Sequence, residues 1–273
     1  MNDKLMRQVK EIAKQAGTAI MDIYQSKDVI GHSSKADGSP LTLADMAAHR
    51  IIVGGLGKLT PRYPILSEED ANIPYSERAR WTRFWLVDPL DGTKEFIKRN
   101  GEFTVNIALI ENGEPVLGVV YAPVLNVCYY GAGKAGAYMQ CGDAAEQSIM
   151  AKFHSKGEPI KVVASRSHSD ERTEALLKKL GDHQCVSMGS SLKLCLVAEG
   201  AAHFYPRLGP TMEWDTAAAH AVVNAAGGTV CSMSGEKLVY NKADLHNPEF
   251  LVLSNEDEAI FGFLGIRHHR TIN

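Results

Sequence analysis

The sequence lacks an apolar run of transmembrane length, and residues 1–8 lack the apolar core of a signal peptide. We therefore expect a cytoplasmic protein with no integral membrane segment, whose only membrane contact would be peripheral association with the inner membrane. The chain also lacks a large net charge of either sign: its formal net charge is −3. A general basic surface for nucleic acid is therefore not expected.

Cysteine is scarce and unpatterned: the five cysteines form no CxxC pair. Thiols that a reducing cytoplasm keeps free explain them better than disulfides or a zinc site. With 273 residues, of which 45% are hydrophobic and 22% charged, the chain has an ordinary globular composition. This length suits one large domain or two lobes that share a cleft.

The hydrophobic period changes along the chain. After a predicted amphipathic helix over 3–25, strands over 103–110 and 115–121 flank an Asn-Gly hairpin signal and predict an antiparallel sheet. Residues 71–83 predict an exposed connection, and the polar residues 141–158 predict an irregular link. Beyond that link, strands alternate with helices, which is typical of an α/β lobe.

One stretch, WLVDPLDGTKE, joins a predicted strand to a predicted helix. The apolar residues 84–87 indicate a short buried strand, and we expect a sharp turn after it. Pro89 cannot extend a strand ladder, and Gly92 permits backbone angles that other residues avoid. Thr93 then begins a helix whose free N–H groups would point into the turn, where they suit an anion.

Carboxylates occur at four places along the chain, and each has a local explanation. Asp88 and Asp91 suit an Asx-type turn, the acids at 68–70 suit a solvated loop, residues 42–45 resemble a helix capping box, and Asp215 suits a helix N-cap. Metal ligation is the alternative, because a divalent cation relieves the repulsion between clustered carboxylates. The residues alone leave both interpretations open.

Residues 189–193 read GSSLK and precede a predicted helix over 192–199. Backbone N–H groups, hydroxyls and the Lys193 ammonium together suit phosphate binding at a helix N-terminus. A solvated helix cap explains the same motif equally well.

Together these motifs resemble the lithium-sensitive, magnesium-dependent phosphatases of the inositol monophosphatase superfamily. The resemblance covers almost the whole chain and rests on three carboxylate motifs in the order Glu68-Glu69, DPLDGT at 88–93, and Trp214-Asp215-Thr216. The chain is most similar to the bacterial bisphosphate nucleotidase branch, through KADGSP, LSEED, SRSH and GSSLK. An inositol monophosphatase would more typically have GEES and DGTTNF where this chain has SEED and DGTKEF.

The resemblance implies a fold of the α+β / α/β class, a layered αβαβα sandwich of the inositol monophosphatase and fructose-1,6-bisphosphatase type. Two lobes would then flank the active site. An N-terminal α+β lobe, residues 1–150, would carry most metal ligands. A C-terminal α/β lobe, residues 151–273, would carry Asp215 and the residues that select the substrate.

The resemblance also implies two or three Mg²⁺ ions, with Mn²⁺ as a substitute and with Li⁺ and Ca²⁺ as inhibitors. The implied metal ligands are Glu68, Asp88, Asp91, Asp215 and the carbonyl of Leu90. Hydrolysis would proceed in line, by a cation-activated water and without a phosphoryl-enzyme intermediate. The implied catalytic residues are Glu68 and a Thr93–Asp45 pair that activates the nucleophile. The implied substrate-binding residues are Gly92, Thr93, Ser165, His168, Gly189, Ser190 and Lys193, with Arg207 as an addition.

The expected substrate is a small nucleotide bisphosphate. Adenosine 3′,5′-bisphosphate would give AMP and phosphate, which would recycle a by-product of sulfate activation; phosphoadenylyl sulfate is the second expected substrate. The alternatives are a phosphatase for inositol monophosphate or a sugar phosphate, and a non-catalytic nucleotide binder. A binder would be expected to have lost a metal carboxylate or Thr93, and neither is missing. We expect a monomer or a homodimer with no nucleic-acid partner.

Overall fold

The computed structural model describes residues 3–26, 39–155, 157–164, 171–254 and 263. Its elements are α1 (Asp3–Tyr24), α2 (Pro40–Leu56), β1 (Ile65–Ser67), α3 (Tyr75–Arg78), β2 (Arg83–Asp91), α4 (Thr93–Ile97), β3 (Thr104–Glu111), β4 (Glu114–Ala122), β5 (Val127–Gly131), β6 (Ala137–Cys141), β7 (Gln147–Ile149), β8 (Ile160–Ala164), α5 (Glu171–Leu180), β9 (His183–Ser187), α6 (Leu192–Ala198), β10 (Phe204–Arg207), α7 (Glu213–Ala225), β11 (Thr229–Ser232) and β12 (Phe250–Leu253). Among these described residues, none of the helices combines the length and apolar character needed to cross a bilayer.

The strands form two sheets. The first has seven strands in the order β1-β2-β3-β4-β5-β6-β7, and the second has five in the order β11-β12-β10-β8-β9. In the first sheet only β1 and β2 run parallel, and the remaining neighbours are antiparallel. The predicted hairpin joins β3 and β4, where Asn112 and Gly113 both have positive φ, of 51° and 80°, as a tight two-residue turn requires.

Alternate residues of β2 face opposite helical layers. Trp85 and Val87 pack in a core with residues of α1 and α2. Phe84 and Leu86 point the other way, into a core that includes residues of α6 and α7. The period-two pattern of a fully buried strand therefore places helices on both faces of the first sheet.

The second sheet lies on the far side of α6 and α7. Val163 of β8 and Tyr205 of β10 belong to the same core as those two helices. Their neighbours Val162 and Phe204 face the opposite way and pack with Leu177 of α5. The layers therefore run α1/α2, first sheet, α6/α7, second sheet and α5, which confirms the predicted αβαβα sandwich.

Helix α7 lies unusually close to the first sheet. A Cβ atom at Gly118 of β4 would stand 2.0 Å from the Ala218 carbonyl oxygen, so only glycine fits there. The alanine-rich sequence of α7 serves the same close approach, because small side chains let helix and sheet backbones come together. Residues from both sides of position 150 thus share one core, and the two-lobe division stays a prediction.

Several local predictions were wrong. Helix α2 begins at Pro40 and is capped by the Ser39 hydroxyl, which accepts from Thr42 N at 3.3 Å; the predicted capping box at 42–45 is therefore not the helix start. Proline at the first helical position loses no hydrogen bond, which explains the earlier start. Strand β7 lies within the predicted irregular link, and residues 71–83 contain the buried residue Arg78.

Candidate active site

The sequence predicted that this strand ends at Val87, but β2 continues to Asp91. Asp88 pairs with Asn106 and Asp91 with Thr104, so three steps along β2 match two steps along β3. This is a β-bulge, and it accommodates Pro89 inside a central strand because the bulged residue needs no ladder hydrogen bond. The bulge brings both carboxylates to the edge of the sheet.

Three carboxylates meet at this edge. Ligand oxygens of Glu68, Asp88 and Asp215 all lie within 4.8 Å of one another. Glu68 directly follows β1 and Asp88 lies near the end of β2; these strands are parallel neighbours, so their carboxyl ends are adjacent. Asp215 reaches them from the first turn of α7, where its Oδ2 accepts from Met212 N at 2.9 Å.

The acidic centre holds its protons unusually tightly. Burial, reinforced by the charge of Glu68 and then of other nearby acids, raises the pKa of Asp88 well above its usual range. Burial and the charge of Asp91 raise the pKa of Asp215 to about 8. Clustered carboxylates of this kind either share protons or surround a cation. Because every donor is an oxygen, the residues fit a hard divalent cation.

Asp91 lies beside this centre and joins the first sheet to the start of α6. Its Oδ2 accepts from Ser190 Oγ at 2.5 Å and from Ser191 N at 2.7 Å. The same oxygen lies 2.8 Å from Ser191 Oγ. Asp91 is not one of the three clustered carboxylates, and its role as a metal ligand stays a prediction.

Three further residues complete a network that the sequence interpretation missed. Thr104 Oγ1 lies 2.6 Å from Ser190 Oγ, Asn106 Nδ2 donates to Ser191 Oγ at 2.7 Å, and Ser191 Oγ lies 2.7 Å from the Asp215 carbonyl oxygen. Thr104 and Asn106 are polar residues at alternate positions of an otherwise apolar strand. That alternation was the signal that could have identified them.

Asp45 and Thr93 lie on helices that pack together. Asp45 is buried in α2, and Thr93 is the first residue of α4; Leu41 and Ala44 of α2 share a core with Phe96 of α4. The charge of Asp45 contributes to the raised pKa of Asp88. The pairing of Thr93 with Asp45 to activate a nucleophile stays a prediction.

The start of α4 opens into a cleft of about 790 Å³, which both halves of the chain line. Gly92, with φ of 95°, supplies the left-handed conformation that turns β2 into α4. Leu90 and Thr93 also line the cleft, and Leu90 N donates to Asp88 Oδ1 at 3.0 Å. Glu68, Asp88 and Asp215 form part of its wall.

Cationic and aromatic groups also line the cleft. Arg207 and Tyr205 line it together with Lys94, which the sequence interpretation missed. A smaller adjoining cavity of about 130 Å³ is lined by Lys193, Ser190 and Arg207, among others. Burial lowers the pKa of Lys193, against the attraction of Asp91.

Not every predicted substrate residue lines these cavities. A Cβ atom at Gly189 would stand 2.6 Å from Glu95 Cγ and 2.9 Å from the Glu102 carbonyl oxygen, so Gly189 is where the two halves touch. Ser165 and His168 lie outside the described residues, as does most of the KADGSP motif. Their predicted roles are untested.

Comparisons with known proteins agree with this architecture. The profile of the inositol monophosphatase family matches residues 1–261. The 3′(2′),5′-bisphosphate nucleotidase CysQ of Salmonella typhimurium is 52% identical over 249 residues, which cover 91% of this chain and 99% of the relative. The crystal structure of CysQ from Bacteroides thetaiotaomicron superposes with a TM-score of 0.83 at 44% identity, covering 92% of this chain and 97% of that one.

A more distant structure shows a likeness of fold. An inositol monophosphatase from Zymomonas mobilis has a TM-score of 0.77 at 21% identity and covers 96% of this chain and 97% of its own. The family profile and the nucleotidase relatives each span most of the chain. The chain therefore belongs to the inositol monophosphatase family.

Proposed function

We propose that the chain is a Mg²⁺-dependent phosphatase that hydrolyses the 3′-phosphate of adenosine 3′,5′-bisphosphate, releasing AMP and phosphate. One observation carries this proposal: the oxygens of Glu68, Asp88 and Asp215 converge within 4.8 Å, in a cleft that also contains Arg207. The substrate class comes from the bisphosphate nucleotidase named in relatives 52% identical to this chain. Phosphoadenylyl sulfate, with the same 3′-phosphate, is the proposed second substrate.

The acidic centre would hold the metal. Glu68, Asp88 and Asp215 would supply carboxylate oxygens, and Asp91 and the Leu90 carbonyl would complete the set as the sequence predicts. Burial and the repulsion between these carboxylates raise the pKa of Asp88 and of Asp215, and a divalent cation relieves that repulsion. When bound, the cation supplies positive charge that activates water and offsets the charge of the phosphoryl oxygens.

Residues at the start of α4 would orient the reactants. The Thr93 hydroxyl would take a proton from the attacking water as it passes its own proton to the buried Asp45 carboxylate. Gly92 and Thr93 line the cleft, and their backbone N–H groups would bind the scissile phosphate there. Glu68, next to the same cleft, would help to orient the water.

The cationic groups of the cleft would select the substrate. Arg207 and Lys193 are cations that suit the second phosphate, and both line the smaller cavity beside the buried Tyr205 ring. Lys193 Nζ lies 5.9 Å from the centre of that ring. An inositol monophosphate has no second phosphate to occupy these cations, so they favour a bisphosphate.

Phosphate release tests the proposal directly. Adenosine 3′,5′-bisphosphate should release phosphate in Mg²⁺ and none after chelation, and it should be preferred over inositol 1-phosphate by at least about tenfold, the value of one charged contact. A preference for the inositol ester would contradict the substrate. Tight binding of the bisphosphate without any turnover would instead indicate a nucleotide binder.

A further inference from the structure

Arg78 is a buried cation in the short helix α3, with only 3% of its surface exposed. Its guanidinium donates to Asn241 Oδ1 at 3.0 Å, to the Lys242 carbonyl oxygen at 2.8 Å and to the Ala243 carbonyl oxygen at 3.0 Å. It also donates to the nearby Ile73 carbonyl oxygen at 3.2 Å. Arg78 thus ties the connection after Glu68 to a segment more than 160 residues away.

Asn241 also donates a hydrogen bond to Arg78. Its Nδ2 donates to the Arg78 carbonyl oxygen at 2.6 Å. Asn241 has a φ of 71°, which L-residues other than asparagine and aspartate rarely adopt. The reciprocal side-chain bonds with Arg78 hold this residue in its left-handed conformation.

The segment that Arg78 holds, residues 241–247, in turn holds the first turn of α7. The Glu213 carboxylate is fully buried and accepts from Asn241 N at 2.6 Å and from Lys242 N at 3.0 Å. Lys242 Nζ lies 2.5 Å from Glu213 Oε1 and compensates the negative charge of this carboxylate. Asn247 Nδ2 donates to the Met212 carbonyl oxygen at 2.7 Å. The start of α7 is therefore anchored to segment 241–247 at both Met212 and Glu213.

Asp215 follows Glu213 by two residues and accepts from Met212 N. The position of its carboxylate thus depends on the two residues that segment 241–247 anchors. Glu68 lies at the start of the connection that leads from β1 to Arg78. The guanidinium accordingly bridges the elements that carry two of the three clustered carboxylates.

We infer that Arg78 is a positioning residue for the acidic centre: through segment 241–247 it sets where Asp215 stands relative to Glu68 and Asp88. This inference rests on the proposed metal site. Residues that orient metal ligands typically change metal affinity by about 10–100-fold when they are removed. Arg78 does not line the cleft. Its replacement should therefore weaken metal binding and leave substrate binding unchanged.

The test compares metal binding by calorimetry in metal-free wild type, Arg78→Met and Asn241→Gly. Asn241→Gly removes the amide that meets Arg78, and glycine adopts the positive φ without strain. Arg83→Met is the control, because it removes the side-chain contacts of another arginine, which pairs with Glu111 away from segment 241–247. We expect both test variants to bind Mg²⁺ and Mn²⁺ at least about tenfold more weakly, and the control to bind like wild type.

Kinetics separate positioning from general destabilisation. In Arg78→Met, the Mg²⁺ concentration for half-maximal activity should rise at least about tenfold, whereas saturating Mg²⁺ should restore kcat and leave KM for the bisphosphate unchanged. Metal affinity within twofold of wild type would overturn the inference, as would a loss of kcat that excess metal does not restore. If wild type itself bound no divalent cation, the proposed metal site would fail instead.

Discussion

The carboxylate of Asp91, the last residue of β2, accepts a hydrogen bond of 2.7 Å from the backbone N–H of Ser191, just before α6. This contact joins the first sheet to the helical layer that supports the second. It places a charged group between the acidic centre and the cavity that contains Lys193. Asp91 therefore has two separable properties, its negative charge and its hydrogen bonds across the molecule.

Asp91→Asn separates these properties. The amide oxygen of asparagine can replace Oδ2 as acceptor for Ser190 and Ser191, so the contact between the halves survives while the charge is lost. If Asp91 is a metal ligand, kcat/KM for the bisphosphate should fall at least about 100-fold, as is usual when one preorganised charge-stabilising group is lost. Steady-state phosphate release at saturating Mg²⁺ measures this.

Asp70→Asn is the control for that variant. Asp70 is exposed and lies two residues after Glu68, so it tests whether any lost acid near the cleft slows the reaction. Wild-type turnover is expected for Asp70→Asn. Nearly intact phosphate release by Asp91→Asn would show that Asp91 is not a metal ligand.

Asn106 and Ser191 should be energetically coupled. Asn106 Nδ2 donates to Ser191 Oγ at 2.7 Å, and both groups are buried. Each single change to alanine leaves its partner without this bond, which costs about 1–3 kcal/mol. The double variant should therefore be more stable than additivity allows, with a coupling energy of about 1 kcal/mol in urea unfolding. Strict additivity would contradict the network.

Local sequence signals predicted those parts of the fold that depend on neighbours along the chain. Strand β12 begins and ends at Phe250 and Leu253, the two ends of an apolar run in the sequence. The Asn112-Gly113 signal correctly placed the first hairpin. Both features follow from the intrinsic preferences of two to four consecutive residues, which tertiary contacts do not need to override.

The errors arose where distant contacts decide the structure. Arg78 lies in a polar stretch that is typical of an exposed connection, yet partners more than 160 residues away bury it. Pro89 indicated the end of a strand, but pairing with β3 carries β2 through a bulge to Asp91. The convergence of Glu68, Asp88 and Asp215 likewise depends on the packing of α7 against the first sheet, which no local pattern encodes.

Arg207 and Lys193 should discriminate between one phosphate and two. Arg207→Met and Lys193→Met should each lower kcat/KM for adenosine 3′,5′-bisphosphate by about 10–100-fold, the usual value of a charged hydrogen bond. Turnover of adenosine 3′-monophosphate, which lacks the second phosphate, should change little. Lys237→Met, whose side chain is 82% exposed, is the charge-matched control. Equal losses for both nucleotides would place these cations at the scissile phosphate instead.

Asp215→Asn should stabilise the metal-free protein, and more strongly as the pH rises. The folded state raises the pKa of Asp215 from its ordinary value of 3.8 to about 8. Between these values the folded protein holds a proton that the unfolded chain has released, so wild-type stability falls as the pH increases. Asparagine has no such titration, and its Oδ1 can still accept from Met212 N.

Urea unfolding with a chelator at pH 5 and pH 8 measures the difference between variant and wild type, from which titrating groups distant from Asp215 cancel. The advantage of Asp215→Asn should be larger at pH 8, by at most about 1.4 kcal/mol for each pH unit. If Asp215 is a metal ligand, added Mg²⁺ should reverse the order at pH 8, because the cation would bind the ionised carboxylate and stabilise the wild type more than the variant. An advantage that is the same at both pH values would mean that Asp215 is already ionised in the metal-free fold.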